Sequence, residues 1–211
     1  MLPTILEDVH EDDLLAGLDE CGRGCMSGPV TAGAVIWDSN YEPKTPEDEK
    51  LLNMIKDSKK LSAKNREKLS EFIKKNALDY AICDVDNKEI DRINILQATY
   101  KAMHGALDKL CAKFVRIVVD GNRFKPYLNE NGFVPHTCIV NGDNRLLQIA
   151  AASIIAKVHR DNYISELGNS DETLAVYGWE KNRGYGTKVH IAAIKEHGLS
   201  KYHRRSFIHF V

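Results

Sequence analysis

The apolar positions of this chain fall into runs of two periods, separated by turn residues. Leu14 to Asp19 (LLAGLD) is a short apolar run that ends in acids and then in a glycine-rich turn, and Pro29 to Trp37 (PVTAGAVIW) is apolar and β-prone. Together they predict two strands joined by a turn. Asp79 to Val85 predicts a third strand, and Thr137 to Val140 another short one. Phe114 to Val119 (FVRIVV) is the clearest strand, almost continuously apolar and stopped by Asp120-Gly121-Asn122. Such a run fits a strand buried on both faces. Helical spacing covers much of the rest. Ser62 is a predicted N-cap for an amphipathic helix to about Asn76. Ile90, Ile93, Leu96, Tyr100, Met103 and Leu107 predict one helix from Glu89 to about Leu110. From Asp143 or Asn144 to about Leu167 runs another, whose first half (LLQIAAASIIA) is apolar on nearly every face and is expected at the centre of the molecule. Thr187 to His197 is a last amphipathic helix closed by Gly198. Asp38 to Lys56 is polar, carries Pro43 and Pro46, and predicts a surface loop with a short helix at its end. Clustered strands followed by alternating helices argue for a mixed sheet covered by helices, in the α/β class.

Composition adds limits rather than detail. The 211 residues suit a single domain, with residues 1–13 as a leader segment, and 43% of them are apolar. A chain of this size buries roughly 70% of its unfolded surface and needs no disulfide to fold. The five cysteines are an odd number with no CxxC pair, which fits a reducing compartment and a cytoplasmic location. The acidic N-terminus has no apolar core of a signal peptide, and no run of about 18 apolar residues predicts a membrane span. The net charge of −1 does not mark a nucleic-acid binder, but the basic residues cluster. One group is Lys56, Lys59, Lys60, Lys64, Arg66 and Lys68; a second is Lys181, Arg183 and Lys188; a third is Lys201, His203, Arg204 and Arg205. A solvated surface explains any one of them. Three beside candidate site motifs favour a face turned to phosphates.

Asp19 and Asp120 each end a predicted strand, where α/β sheets place their ligand sites. Adjacent parallel strands would bring both acids to one point. Asp143 begins the buried helix, where it can cap the first turn. Glu20 follows Asp19 directly, and successive strand residues point to opposite faces. Both reach one ion only if the strand stops there; otherwise Glu20 reaches in from the rim. Acids without a His or Cys cluster suit Mg²⁺ or Mn²⁺, which prefer oxygen ligands and keep some waters. Each acid alone is also readable as a turn residue or a cap.

Gly22, Arg23 and Gly24 follow the acids. Their backbone can approach a ligand closely, or they are simply a tight turn. Lys59 and Lys60 precede a helix start, against the dipole, where a nearby phosphate would relieve them and solvent would serve as well. Tyr185, between Gly184 and Gly186, is placed either to stack on a sugar or base or to cover its loop. His159, His190 and His197 show no metal-ligand spacing and are expected at the surface or behind the site. Cys21 and Cys25 fit small apolar fillers.

With these residues in view, the chain resembles the type 2 ribonucleases H. The matching segments are Gly17-Leu18-Asp19-Glu20-Cys21-Gly22-Arg23-Gly24, Gly28-Pro29-Val30, Asp57-Ser58-Lys59-Lys60-Leu61, Val119-Asp120-Gly121-Asn122, Gly142-Asp143, the run from Ala151 to Asp161, Gly184-Tyr185-Gly186-Thr187 and His203-Arg204-Arg205-Ser206-Phe207. They occur in family order from about Leu15 to Phe207. The resemblance implies a ribonuclease H-like fold with a mixed five-stranded sheet flanked by helices. It implies that Asp19, Glu20, Asp120 and Asp143 hold Mg²⁺ or Mn²⁺, two ions in the substrate complex. It implies that Gly22, Arg23 and Gly24 read the ribose 2′-OH, that Lys59 and Lys60 contact the nucleic acid, and that Tyr185 packs on the following deoxyribose. The substrates implied are RNA–DNA hybrids and DNA holding single ribonucleotides, cut on the 5′ side to leave 3′-OH and 5′-phosphate ends, in DNA repair and replication. The 2′-OH is the group that separates RNA from DNA.

The departures are specific. Asn141 stands where the family usually has lysine, Cys25 where it has proline, and Cys21 where it has a small apolar residue. The chain stops at Val211, so no clamp-binding tail is expected, and a monomer is the default. Asp161 tempts as a further acid. It lies four residues after Lys157, which predicts an ion pair, and about 27 Å along the helix from Asp143 at 1.5 Å per residue. A hybrid-binding relative without activity would have lost one of the four acids, and all are present. The sister type 3 enzymes carry a large N-terminal domain, whereas only a short segment precedes the first strand here.

Overall fold

In the computed structural model, residues 1–4, 6, 10, 13–56, 58 and 61–210 are described. Strand β1 (Leu15–Cys21) pairs antiparallel with β2 (Val30–Ile36), which pairs antiparallel with β3 (Asp79–Val85). On its other side β1 runs parallel to β4 (Arg116–Asp120), and β4 runs parallel to β7 (His136–Ile139). The sheet of the described residues is therefore mixed, five-stranded, in the order β3-β2-β1-β4-β7. A hairpin of β5 (Tyr127–Asn129) and β6 (Gly132–Val134) stands apart from it.

Helix α1 (Pro46–Met54) closes the polar loop after β2, with Thr45 as its N-cap. Helix α2 (Ala63–Asn76) starts at the expected cap, where Ser62 Oγ accepts from Asn65 N–H at 3.2 Å. The single helix expected from Glu89 to Leu110 is two. They are α3 (Asn87–Ile93) and α4 (Ile95–Leu107), divided at Asn94 with φ 66°. Asn94 tolerates that left-handed backbone and caps α4, its Oδ1 accepting from Leu96 and Gln97 N–H. Apolar spacing continues through the break, which is why the period did not reveal it.

After β7 comes a 3₁₀ turn (Gly142–Asn144), then α5 (Leu147–Asn169). Asp143 lies in that turn and does not cap α5; the N-cap is Leu146, which makes no side-chain cap bond. Short helices α6 (Glu172–Ala175) and α7 (Trp179–Asn182) precede α8 (Lys188–His197), and a 3₁₀ turn (Arg205–Phe207) follows.

The two sheet faces are buried by different helices. Ala16, Leu18, Ala34, Ile117 and Val119 pack with Ala102 and Met103 of α4. On the other face α5 lies against β1 and β2 and is itself covered by α2 through Leu69, Phe72 and Ile73. Every residue from Leu147 to Ala156 is buried, as its all-round apolarity predicts. The approach is close. A Cβ at Gly17 would lie 2.4 Å from the Gln148 carbonyl carbon, so β1 meets α5 backbone to backbone just below Asp19. Among the described residues, no helix is long and apolar enough to cross a membrane.

Candidate functional site

The β1–β4 register decides where the acids stand. Leu15 to Leu18 pair with Arg116 to Val119, so the next step sets Asp19 beside Asp120 at the carboxyl ends of neighbouring parallel strands. β1 does not stop at Asp19; it continues through Glu20 to Cys21, paired with β2. The pleat therefore separates the two carboxylates. Asp19 follows Leu15 and Gly17 on the α5 face and bonds with Ser153 of α5. Glu20 follows Ala16 and Leu18 toward the α4 face. It shares a cleft of about 320 Å³ with Arg23, Thr99, Met103, Asp120 and Arg123. Of the two expected routes, Glu20 takes the rim.

Asp19 is 7% exposed. Burial pushes its carboxyl well above the usual range, and the charges of Glu20 and Asp120 push the same way. Bonds from Ser153 and from the Glu20 N–H, the latter at 2.7 Å, pull it back only in part. Glu20 is also raised by burial, opposed by Arg23, whose Nη1 donates to Glu20 Oε1 at 3.1 Å. Asp120 Oδ1 accepts from the Gly142 N–H at 2.7 Å. That bond ties the end of β4 to the 3₁₀ turn carrying buried Asp143, whose Oδ1 accepts from Asn144 Nδ2 at 2.9 Å. Asn141, before the turn, has φ 56°, a conformation Asn adopts more readily than lysine. Ser153 is in turn 2.9 Å from Ser58 Oγ, so Ser58 reaches Asp19 through two hydroxyls. Lys59 and Lys60 themselves lie outside the described residues.

The donor set is oxygen throughout, and like charges repel within it. That chemistry fits a hard divalent cation, which would remove the repulsion. Among the described residues, no three His, Cys, Asp or Glu side chains stand together closely enough to hold an ion by themselves. Asp19 and Asp120 stand side by side at the strand ends, Glu20 lines one cleft with Asp120, and Asp143 lies in the turn that the Gly142 N–H ties to Asp120. An ion that keeps waters and takes a substrate phosphate needs fewer protein oxygens than a closed cage.

Beside the acids, Gly22 is buried whereas Arg23 and Gly24 are exposed. Gly22 has φ +83°, and a Cβ there would lie 2.0 Å from Arg160 Nε. Gly24 has open space around its Cα, so nothing in the chain itself requires a glycine there. Tyr185 is 41% exposed, with Lys157 Nζ 5.6 Å from its ring centre. Burial raises its hydroxyl to about 12. Residues 25–27 bind the two segments together: Cys25 bridges Tyr185, and Met26 N–H donates to Gly184 O at 2.8 Å.

Sequence and structure comparisons give the family and the fold. The model of the family described as Ribonuclease HII matches residues 16–210. The ribonuclease HII of Cytophaga hutchinsonii is 48% identical over 208 residues, 98% of this chain and 95% of that protein. The chain belongs to the ribonuclease HII family. Its structure is similar to that of ribonuclease H2 from Pyrococcus horikoshii OT3, with TM-score 0.71, 28% identity, and 92% and 93% of the two chains covered. It also shares the fold of Bst-RNase HIII, solved in complex with Mn²⁺, with TM-score 0.68 and 20% identity, 92% of this chain and 67% of that one being covered. Family membership makes the chain a metal-dependent ribonuclease with a ribonuclease H-type α/β fold.

Within this family frame, several sequence expectations need correction. His203 and Arg204 are buried and do not face phosphates. Arg204 donates to the carbonyls of Arg23, Gly28 and Pro29 at 2.8–2.9 Å. Arg66 is likewise spent on the chain itself, donating to Ser58 O and Leu61 O. Lys56, Lys64, Lys68, Lys181 and Lys188 are exposed, as a phosphate-facing surface requires. His190 is fully buried and bonded, while His159 pairs with Asp84 at 2.7 Å. Lys157 and Asp161 form the expected ion pair at 2.7 Å. Cys25 is buried filler; Cys21 in addition donates to Ala156 O at 3.2 Å, and burial raises its thiol. Ser153, Arg160 and Arg204 carry roles that spacing did not suggest. One signal was present: Ser153 is a hydroxyl inside the apolar run Ala150–Ala156.

Proposed function

We propose that this chain hydrolyses the RNA strand of RNA–DNA hybrids and nicks duplex DNA on the 5′ side of a single embedded ribonucleotide, leaving 3′-OH and 5′-phosphate ends. The observation that carries the reading is the parallel β1–β4 register, which sets Asp19 beside Asp120 at the sheet end. Asp19, Glu20, Asp120 and Asp143 would hold Mg²⁺ or Mn²⁺, with two ions in the substrate complex. Bound divalent ions supply a water acidified for in-line attack at phosphorus and neutralise charge on the departing 3′-oxygen. Manganese is supported as an alternative to magnesium by the fold relative solved with Mn²⁺.

The protein's own contribution is placement. Ser153 holds Asp19, and Gly142 N–H holds Asp120. Arg23 opposes the burial that raises the Glu20 carboxyl. Gly24 and Arg23 present exposed backbone and side chain next to those acids, where a ribose 2′-OH can be told from a deoxyribose. Tyr185 packs on the sugar that follows, and Lys59 and Lys60 contact the phosphate backbone. The biological task is removal of ribonucleotides from DNA during repair and replication, in the cytoplasm, by a monomeric single-domain enzyme.

The test is a gel assay on a labelled DNA duplex holding one ribonucleotide, with Mg²⁺ or Mn²⁺ and an EDTA control. A metal-dependent nick 5′ of the ribonucleotide, absent in Asp19→Asn, is the expected result. An intact duplex alongside cleavage of an all-RNA strand on DNA would overturn the junction reading and favour type 3 behaviour. Binding without cleavage of either would make the chain a hybrid-binding protein.

A further inference from the structure

Behind Tyr185 lies a buried network of aromatic and imidazole groups that the reaction itself does not use. Trp179, His190, His203 and Ser27 are each at most 1% exposed. The donor or acceptor character of their neighbours assigns the protons. Trp179 Nε1–H can only donate, and it lies 3.0 Å from His190 Nε2. His190 Nε2 is therefore an acceptor, and the ring carries its proton on Nδ1. That nitrogen faces the Tyr185 carbonyl at 2.9 Å, which can only accept. His203 Nε2 lies 3.1 Å from the same His190 Nε2, so it must donate. Its Nδ1 is then an acceptor, and there it meets the Ser200 N–H at 2.9 Å. Both rings are neutral, and burial lowers both histidines below their ordinary range.

The network ends on two substrate-facing elements. At one end His190 holds the Tyr185 carbonyl, to which Thr187 N–H also donates at 2.8 Å. At the other, Ser27 Oγ lies 3.4 Å from His190 Nε2, the backbone of His203 bridges that of Ser27, and Arg204 donates its N–H to Met26 O at 2.8 Å and its Nη1 to Arg23 O at 2.9 Å. Residues 25–27 are thereby clamped between the Tyr185 loop and the His203 segment. The spacing between Tyr185 and the Gly22–Gly24 turn is set by this clamp.

We infer that His190 and His203 are positioning residues that fix Tyr185 relative to the Gly22–Gly24 turn and so set the preference for an RNA-to-DNA junction over uniform hybrid. The inference rests on the reading of Tyr185 and the turn as sugar contacts. Neither histidine touches substrate. Each acts by holding a backbone group in place, and a misplacement of about 1 Å is enough to cost on the order of a hundredfold in rate.

The test is the ratio of kcat/KM on a single-ribonucleotide duplex to kcat/KM on uniform hybrid. His190→Leu removes the Nδ1–H donor and is expected to lower the ratio about tenfold, within the range a small misplacement allows. His190→Asn keeps an N–H at the Nδ1 position and is expected to restore most of the ratio, which general loosening of the fold would not do. In a Tyr185→Ala background, His190→Leu is expected to change the ratio no further, since the two act through one group. A second measurement needs no variant. Nitrogen NMR of the intact protein is expected to show His190 as the Nδ1–H tautomer and His203 as the Nε2–H tautomer, and the reverse assignment for either overturns the inference. If Tyr185→Ala lowers the ratio but His190→Leu does not, the positioning inference fails and the sugar-contact reading stands. If Tyr185→Ala itself leaves the ratio unchanged, both fail.

Discussion

Gly22 and Gly24 flank one arginine, yet they are glycine for different reasons, and alanine at each position separates them. At Gly22 the backbone has φ +83°, and the new Cβ would sit 2.0 Å from Nε and 2.6 Å from Cδ of Arg160. The left-handed backbone costs about 1–2 kcal/mol for a residue with a Cβ. Arg160 cannot yield cheaply. It is fully buried and donates to Pro29 O, Arg183 O and Ser27 O at 3.0, 2.9 and 3.0 Å. Losing one such charged hydrogen bond costs about 1.5–3 kcal/mol. Gly22→Ala should therefore destabilise the fold by about 3–5 kcal/mol. At 2–4 °C per kcal/mol for a chain of this size, Tm should fall by on the order of 10 °C. At Gly24 a Cβ meets nothing within 4 Å and the φ is ordinary. Gly24→Ala should hold the wild-type Tm or gain slightly, because alanine stiffens the unfolded chain by about 0.4–1 kcal/mol. Its loss should appear instead as weaker hybrid binding, measured by fluorescence anisotropy in EDTA. A wild-type Tm for Gly22→Ala refutes the packing argument. Undiminished binding and cleavage by Gly24→Ala refutes the claim that a ligand needs the bare backbone.

Three further outcomes follow from the site and its supports. Asp19 has a raised folded-state carboxyl, so its charge opposes folding at any pH above the unfolded value near 3.8. Asp19→Asn should raise Tm at neutral pH while abolishing cleavage; a lower Tm would contradict it. In the wild type, Mg²⁺ or Mn²⁺ should raise Tm by binding the folded state and EDTA should reverse this, with a smaller effect in Asp19→Asn. His203 is neutral in the fold, depressed from 6.5 to about 4 by burial and by His190. A depressed histidine favours the fold above its unfolded value, and that contribution is lost as pH falls from 6.5 to about 4. Replacing His203 with glutamine should flatten the Tm-versus-pH curve across that window, and an unchanged acid slope would show that the loss lies elsewhere.

Much of the fold was legible because each face has its own period. Ser62 as a cap, β3 from Asp79 to Val85, and α8 (Lys188–His197) between its caps Thr187 and Gly198 follow the sequence reading. What escaped were features set by single residues or tertiary contacts. Asn94 breaks a helix whose apolar spacing runs straight through it. Leu128 and Phe133 pair across the β5–β6 hairpin while exposed, so no buried alternation marks those strands. The acids were legible as strand ends, but the strand bound was not. β1 continues to Cys21 because its pairing with β2 runs on to Thr31, and a partner strand cannot be read from one run alone. Arg204 and His203 looked like surface charge, since sequence counts charges and does not see the backbone carbonyls that receive them. Burying a charged group requires such partners, and here carbonyls supply them in place of carboxylates.

The Gly22–Gly24 turn joins the two halves of the site. Arg23 bonds Glu20, and its charge opposes the burial that raises that carboxyl. The Arg23 carbonyl is held by Arg204, so the peptide plane that carries the Gly24 N–H is anchored from the core side. A trans peptide sets its C=O and N–H in opposite directions. With the carbonyl drawn toward Arg204, the Gly24 N–H is turned away from it. A ribose hydroxyl there would meet a fixed donor at the moment Arg23 is engaged, and Arg23 is the partner of Glu20. On the proposed reading of the turn as a sugar contact, sugar identity and the rim carboxylate are linked through Arg23. Changes at Arg23 and Glu20 should accordingly be non-additive, as expected for groups that share a partner. A double-mutant cycle with Arg23→Ala and Glu20→Gln, read as kcat/KM on the single-ribonucleotide duplex, measures that link. Simple additivity of the two losses would separate sugar reading from the acid site.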